Sequence, residues 1–320
     1  MEYTELGTTG LKVSVAGLGC GGFSRVGQGT GRSAAESIAL IRQALDLGVN
    51  FIDTAQAYQT EELIGRALQG RRRDEVVIST KAQVRQGGKL CAAELVVEAL
   101  ENSLRQLKVD WVDVFHLHGV PPALYAQAVE TLVPALRKER EKGKFRFLGV
   151  TEVPPEDPTQ EMLQRAVREG CFEVVMLAFH MLHQRAREKL LVHTRAQGIG
   201  VLNMFAVRLL FSEAGRLQRV VEGLAAAGKV PAELGAEENP LGFLMHPEGA
   251  RNVIDAAYRY CRHEPGVDVV LFGTGDETHL RANVDSILRG PLPEADVARL
   301  GTLFGALEGV GLDRPGQAHP

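Results

Sequence analysis

Three features of the sequence predict an α/β fold, a single closed (β/α)8 barrel of the TIM type that spans residues 1–320. Eight short strands alternate with helical stretches along the chain. The strands are apolar almost throughout, as in a parallel sheet that helices cover on both faces. No change of composition divides the chain, so one barrel is favoured over two doubly wound halves, although length alone allows roughly two domains.

Between the strands, the spacing of apolar residues predicts amphipathic helices. The first helix is the clearest, because Ser33 and Glu36 form a capping box and Gly48 is a natural stop signal. The other predicted helices are Glu94–Leu107, Leu124–Lys142, Glu161–Glu169, Ala186–Gln197, Ala214–Ala227 and Gly249–Arg262. The predicted strands are Val13–Leu18, Asn50–Thr54, Val76–Lys81, Trp111–His118, Arg146–Val150, Val174–Phe179, Gly200–Met204 and Asp268–Phe272.

Three segments do not follow the alternation of strands and helices, and their composition predicts other structures. Tyr3–Leu6 and Leu11–Val13 flank a Gly-Thr-Thr-Gly turn, which predicts a β-hairpin over residues 1–13 that caps the bottom of the barrel. Gly228–Phe243 is rich in glycine, proline and acidic residues and is interpreted as a long irregular loop. Gly309–Pro320 is a polar tail that we expect to be flexible.

Composition and charge argue against several classes of protein. The formal net charge of −4 disfavours a nucleic-acid binder, which would present a basic face. No apolar run approaches the ~18–20 residues of a membrane span, and the N-terminus carries no secretory signal. The four cysteines are widely spaced and indicate neither a disulfide scaffold nor a zinc knuckle. We therefore expect a cytoplasmic protein that binds neither nucleic acid nor membranes.

A glycine-rich segment follows the first barrel strand. Gly17, Gly19 and Gly22 match the spacing of the dinucleotide fingerprint, which requires a helix to open at the third glycine. Here the chain continues through Phe23–Gly31, where three further glycines disfavour a helix. The segment is therefore interpreted as a strand-to-loop turn that lets a ligand approach the backbone.

Four chemically matched residues stand at the ends of three consecutive predicted strands. Asp53 is at the end of one strand, and Tyr58 lies on the loop that follows it. Lys81 and His118 are at the ends of the next two strands. Since all strands of a (β/α)8 barrel open onto one mouth, we expect the four side chains to converge. Each residue alone is more often structural, but the combination predicts a catalytic site.

These side chains suit proton transfer to and from an oxygen atom. A tyrosine hydroxyl has a pKa of about 10, and a nearby ammonium lowers that pKa by favouring the phenolate. We therefore expect Lys81 to lower the pKa of Tyr58, and Asp53 to keep Lys81 charged and in place. His118 would donate a hydrogen bond to a substrate carbonyl, to which a proton and a hydride are delivered.

The sequence resembles the aldo-keto reductase superfamily over nearly its whole length, and most closely the sugar and aldose dehydrogenase-like branches. Lys81 and His118 fall at the spacing of that family. The segments that carry the resemblance are Asn50–Tyr58, Tyr58–Gly65, Gly143–Thr151 and Val270–Gly275, the last followed by Leu280 and Asn283.

The resemblance implies an oxidoreductase that transfers a hydride between a nicotinamide cofactor and an aldehyde, ketone or sugar carbonyl. Tyr58 would be the general acid in reduction and the base in oxidation. Lys81, held by Asp53, would tune Tyr58, and His118 would orient the carbonyl. NADP(H) or NAD(H) would lie extended across the barrel mouth, with its adenine end near Gly273–Asn283.

The resemblance also assigns the cofactor contacts, with several departures from the family pattern. Thr151 and Glu152 stand where a Ser-Asn pair usually holds the nicotinamide amide, and Met176 replaces a glutamine. Met204 stands at the position of the stacking tyrosine, so Phe205 is the candidate for that role. The full set of predicted cofactor residues is Gly21, Gly22, Phe23, Thr151, Glu152, Met176, Phe205, Gly273, Thr274, Gly275, His279 and Asn283.

The positions that usually bind the 2′-phosphate of NADP carry no lysine or arginine. They are Gly273, Gly275, Asp276 and His279, of which His279 alone can become cationic, while Asp276 would repel a phosphate. The sequence therefore favours weak preference for NADP, or use of NAD.

Two other functions compete with this interpretation. A metal-dependent hydrolase would use His116, which shares a strand face with His118, together with His180 and His183. A cofactor-binding regulatory module with slow turnover would explain the altered amide contacts. Under the leading hypothesis, substrate choice depends on the loops after the strands, chiefly Phe23–Arg32, Gly119–Leu124, Val207–Phe211 and Gly228–Phe243.

Overall fold

Eight parallel strands close into a barrel at the centre of the structure, a computed structural model that describes residues 1–313. Around the barrel the strand order is β3, β4, β5, β8, β9, β10, β11 and β12, and β12 pairs with β3 to close the ring. In chain order, the strands within residues 1–313 are β1 Tyr3–Glu5, β2 Lys12–Ser14, β3 Ala16–Gly19, β4 Phe51–Asp53, β5 Val77–Gln83, β6 Arg85–Gln86, β7 Lys89–Leu90, β8 Val112–His118, β9 Phe145–Thr151, β10 Val174–Ala178, β11 Gly200–Met204 and β12 Val269–Phe272.

Helices cover the outside of the barrel. The predicted capping box is present, because Ser33 Oγ accepts from the Glu36 backbone N–H at 3.3 Å while the Glu36 carboxylate accepts from the Ser33 N–H at 2.8 Å. The helices are α1 Ala34–Asp46, α2 Glu61–Ala67, α3 Ala93–Leu107, α4 Pro122–Glu141, α5 Glu161–Glu169, α6 Val192–Gln197, α7 Leu209–Ser212, α8 Arg216–Ala226, α9 Ala232–Gly235, α10 Val253–Arg262, α11 Glu277–Leu288 and α12 Glu294–Phe304.

The predicted (β/α)8 barrel is confirmed, with corrections to three segments. The predicted strand Val13–Leu18 is two strands, because β2 pairs with β1 in the hairpin while β3 enters the barrel. Gly228–Phe243 is not irregular throughout, since it contains the short helix α9. The predicted helix Ala186–Gln197 begins as a π-helix over Arg187–Leu191 before it becomes α6.

The core has two layers, and the hairpin closes one end of the inner layer. The larger layer lies between the sheet and the helices, and the smaller layer fills the barrel interior with side chains such as Phe51, Val114 and Leu202. Leu6 and Leu11 of the hairpin are buried against the inner layer. The amino-terminal end of the barrel is therefore sealed by apolar contacts, which leaves the opposite end for polar groups.

The described part of the predicted tail packs on the protein. Leu312 and Asp313 are buried, and Arg216 Nη2 donates to Asp313 Oδ2 at 2.8 Å. Arg208 Nη2 donates to the backbone oxygen of the same Asp313. The remainder of the predicted tail, residues 314–320, lies outside the described residues.

Within residues 1–313, no helix combines the length and the apolar character that a membrane crossing demands.

Candidate active site

The structure brings Asp53, Tyr58, Lys81 and His118 together at the carboxyl end of the barrel. Asp53 is the last residue of β4, Lys81 lies in β5, and His118 is the last residue of β8. These strands are neighbours in the parallel sheet, so their ends meet at one mouth. Tyr58 follows β4 in a 3-10 turn over Gln56–Tyr58.

A buried ion pair fixes the position of Lys81. Its Nζ lies 2.8 Å and 2.7 Å from the two carboxylate oxygens of Asp53, and it donates to the Thr54 carbonyl at 2.6 Å. Ser79 Oγ donates to Asp53 Oδ1 at 2.7 Å and so holds the carboxylate from a second side. Burial opposes the charge on Lys81, but Asp53 and, to a smaller extent, Tyr58 together outweigh it, and the pKa of Lys81 lies above its ordinary value.

Tyr58 stands between Lys81 and His118. Lys81 Nζ lies 5.1 Å from the centre of the Tyr58 ring, and the His118 ring meets the Tyr58 ring edge-on at 5.6 Å between centres. Gly21 packs so closely against the Tyr58 ring that a Cβ atom at this position would overlap it. A glycine is therefore needed at position 21 if the ring is to stay in place.

The net pKa of Tyr58 is raised, although Lys81 shifts it in the predicted direction. Burial of the hydroxyl raises its pKa above the ordinary value of a tyrosine, and Asp53 acts in the same direction. Lys81 opposes the rise, as the sequence predicts, but does not overcome it. At neutral pH Tyr58 is therefore protonated and able to give up a proton.

His118 is a neutral imidazole at neutral pH. Burial, together with the nearby Lys81 charge, lowers its pKa to about 3. A neutral imidazole carries one N–H donor and one acceptor nitrogen. The buried Nδ1 has no hydrogen-bond partner among the described residues.

A cleft of about 770 Å³ opens above these residues, and Asp53 and Tyr58 form part of its wall. Its volume falls in the range of roughly 300–1,000 Å³ that small-molecule sites occupy. Ten of the twelve predicted cofactor residues line it, namely Gly21, Gly22, Phe23, Met176, Phe205, Gly273, Thr274, Gly275, His279 and Asn283. Glycines from two separate segments thus form the wall of one cleft, where a ligand can approach the backbone closely.

The other two predicted cofactor residues do not line the cleft. Thr151 Oγ1 accepts from the Gly119 N–H at 2.7 Å. Glu152 Oε1 accepts from the Ala178 N–H at 2.6 Å and from Gln160 Nε2 at 3.0 Å. Their contact with a nicotinamide amide stays a prediction.

Two arginines that are not among the predicted catalytic or cofactor residues also line the cleft. Arg32 Nη2 lies 3.0 Å from Asp276 Oδ2, and both residues line the cleft. Arg208, which precedes α7, lines it as well, and so does Phe211 of that helix. The loops Gly119–Leu124 and Gly228–Phe243, which were expected to shape the substrate pocket, contribute no residue to the cleft wall. No sequence signal links Arg32 with Asp276, because 244 residues separate them.

The histidines that a hydrolase would require do not assemble into a metal site. His180 and His183 face each other across a backbone bridge, with ring centres 5.9 Å apart, while His116 is buried on β8. Within residues 1–313, no three His, Cys, Asp or Glu residues are placed to hold a metal ion.

A glycine-lined cleft above a Tyr-Lys-Asp-His cluster at the mouth of a (β/α)8 barrel fits a carbonyl oxidoreductase that uses a nicotinamide cofactor. The chain belongs to the aldo/keto reductase family, whose family model matches residues 17–303. Membership of this family supports NAD(P)-dependent carbonyl oxidoreduction and favours neither of the competing functions.

Individual relatives agree with this assignment. An L-galactose dehydrogenase of Arabidopsis thaliana is 32% identical over 210 residues, which cover 63% of this chain and 64% of the plant protein. An aldo-keto reductase of Bacillus subtilis is 28% identical over 88% of this chain and 87% of its own. A solved aldo-keto reductase of Bacillus halodurans matches with a TM-score of 0.72 and 22% identity, over 98% of this chain and 100% of its own, which supports the fold alone.

The buried Glu152 predicts a pH-dependent stability. Burial raises its pKa to about 8, so the folded protein holds a proton there that the unfolded chain loses near its ordinary pKa of 4.5. Stability contributed by this proton is present below pH 4.5 and is lost as the pH rises through 8. Glu152→Gln removes the charge and should raise the melting temperature by about 2–4 °C or more near pH 9, with little effect near pH 5.

Thermal melts of the wild type and the variant at both pH values measure this difference. The exposed Glu98→Gln is the matched control for the loss of one negative charge. An effect of Glu152→Gln that is equal at the two pH values would show that Glu152 does not hold this proton.

Proposed function

We propose that Tyr58 gives its hydroxyl proton to the carbonyl oxygen during reduction and takes it back during oxidation. The observation that carries this proposal is the position of its ring, between the Lys81 ammonium at 5.1 Å and the His118 ring at 5.6 Å, in the wall of the cleft. General acid catalysis requires a proton donor that is protonated before the step and a stabilised anion after it.

The neighbours of Tyr58 supply both conditions. Burial keeps the pKa of Tyr58 high, so that the hydroxyl holds its proton at neutral pH. When the proton leaves, the Lys81 ammonium stabilises the phenolate, and Asp53 keeps that ammonium charged and fixed. His118 donates one N–H to the carbonyl and orients it toward Tyr58. The cofactor, when bound, supplies or accepts the hydride.

The walls of the cleft suit a dinucleotide. Backbone from Gly21 and Gly22 and from Gly273 and Gly275 lines the cleft, so a ligand can approach it closely. Phe205 provides an aromatic face at the mouth. These residues would hold the cofactor.

We propose NAD(H) as the preferred cofactor. Asp276 Oδ1 accepts from the backbone N–H groups of Thr278 and His279 at 2.8 Å and 3.1 Å, so it caps the start of α11 with a negative charge. Its other oxygen pairs with Arg32, a cation that lines the cleft beside these positions. A 2′-phosphate would have to displace the Asp276 carboxylate from Arg32, and the negative charges of the two groups would repel each other.

The proposed substrate is a small aldehyde, ketone or sugar carbonyl, and the proposed location is the cytoplasm. The similarity to an L-galactose dehydrogenase supports a sugar or a related polar carbonyl compound. The cleft offers both polar and apolar wall residues, among them Ser212, Phe211 and Tyr258.

Removal of the Tyr58 hydroxyl tests the proposed proton donor. Tyr58→Phe keeps the ring but has no proton to give, so kcat for aldehyde reduction should fall by about 100-fold or more. Binding of the nicotinamide cofactor, measured by fluorescence titration, should persist. Tyr3→Phe, in the distant hairpin, loses only the hydrogen bond that the Tyr3 hydroxyl donates to the Gly48 carbonyl, and is the matched control. Full activity of Tyr58→Phe would refute the mechanism.

Replacement of Asp276 tests the cofactor preference. The wild type should show the higher kcat/KM with NADH. Asp276→Ser keeps a capping hydroxyl for α11 but releases Arg32, and the NADPH to NADH ratio of kcat/KM should rise by about tenfold or more. The control is Asp285→Ser, a substitution elsewhere on α11 that breaks the exposed ion pair between Asp285 and Arg251. A strong preference of the wild type for NADPH would contradict the proposal.

A further inference from the structure

A buried arginine forms part of the cleft wall. Arg208 is 8% exposed and stands immediately before α7. Its guanidinium carbon lies 3.8 Å from the centre of the Phe205 ring and 5.0 Å from the centre of the Phe23 ring. Contact with two aromatic rings holds the planar group in place and leaves its N–H edges for hydrogen bonds.

The hydrogen-bonding capacity of Arg208 is incompletely used. Its Nη2 donates to the backbone oxygen of Asp313, which anchors one end of the guanidinium. Its buried Nε has no hydrogen-bond partner among the described residues. A buried N–H of a charged group without a partner is costly, so such a group indicates a ligand that completes it.

Arg208 and Tyr58 lie close enough to influence each other. The Arg208 charge lowers the pKa of Tyr58, although burial of the hydroxyl still dominates. Burial lowers the pKa of Arg208 to about 10, and Tyr58 partly opposes that shift. Because Tyr58 and Arg208 line the same cleft, an anion bound at Arg208 would share that cleft with a carbonyl positioned at Tyr58.

We propose that Arg208 binds a carboxylate carried by the carbonyl substrate, which makes carbonyl acids such as semialdehydes or sugar acids the preferred substrates. This inference rests on the proposed function of Tyr58. A guanidinium offers a planar fork that matches a carboxylate, and the aromatic rings restrict it to one orientation. The proposed phosphate-binding positions, from Gly273 to Asp276, follow β12 and form another part of the cleft wall.

Two aldehydes that differ in one group test the proposal. Succinic semialdehyde carries a carboxylate, and butanal is its neutral counterpart of equal chain length. The wild type should show a kcat/KM that is about tenfold or more higher for succinic semialdehyde. Arg208→Gln should abolish this advantage, and Arg208→Lys, which keeps the charge but not the fork, should restore part of it.

A matched control separates substrate binding from the anchoring of residues 309–313. Arg216→Gln is the same substitution at the other arginine that holds Asp313, and Arg216 does not line the cleft. It should leave the preference between the two aldehydes unchanged. An equal loss of preference in both variants would show that Arg208 acts by anchoring the chain, and would overturn the proposal.

Binding measurements distinguish failure of this inference from failure of the proposed function. Calorimetric titration of the cofactor-saturated protein with succinate should show binding that Arg208→Gln loses, while 1,4-butanediol binds neither protein.

Arg208-dependent binding of succinate without turnover of either aldehyde would retain the anion site and refute the proposed function. Turnover without preference for the carboxylate would refute the anion site. Loss of affinity for NADH and NADPH in Arg208→Gln, with the aldehyde preference intact, would assign Arg208 to a cofactor phosphate instead.

Discussion

The site depends on the buried ion pair between Lys81 and Asp53. A lysine with no exposed surface keeps its charge only because Asp53 and the Thr54 carbonyl accept its hydrogen bonds at 2.6–2.8 Å. Removal of one partner of such a pair costs about 3–5 kcal/mol, because it leaves an uncompensated buried charge. The pair forms only if β4 and β5 are aligned so that Asp53 lies opposite Ser79. The register of the barrel therefore sets the chemistry at its mouth.

The positive charge of Lys81 and burial together determine the protonation states of Tyr58 and His118. Tyr58 holds its proton because burial outweighs the effect of Lys81, and His118 stays neutral because burial and Lys81 act together. Arg208 adds a second cation beside Tyr58. The mouth of the barrel thus brings together a protonated acid, a neutral imidazole and the positive charges of Lys81 and Arg208, an arrangement that favours negative charge developing on a substrate oxygen.

The sequence predicted the barrel and the Tyr-Lys-Asp-His set because both depend on local signals, namely apolar strands and the residues at their ends. It did not predict the direction of the Tyr58 pKa, since burial of a hydroxyl is a property of the folded chain. It also missed the Arg32–Asp276 pair, which joins residues far apart in sequence. The sequence does not predict the short helix α9 within Gly228–Phe243, because four residues are too few to show helical periodicity.

The pH dependence of alcohol oxidation in Lys81→Met, compared with the wild type, tests the central claim most directly. The rising limb of kcat against pH reports the ionisation of the catalytic acid in the bound complex. If Lys81 stabilises the Tyr58 phenolate, its removal should move that limb to higher pH by about one pH unit or more. A limb at the same pH in both proteins would show that Lys81 holds the structure together without tuning Tyr58.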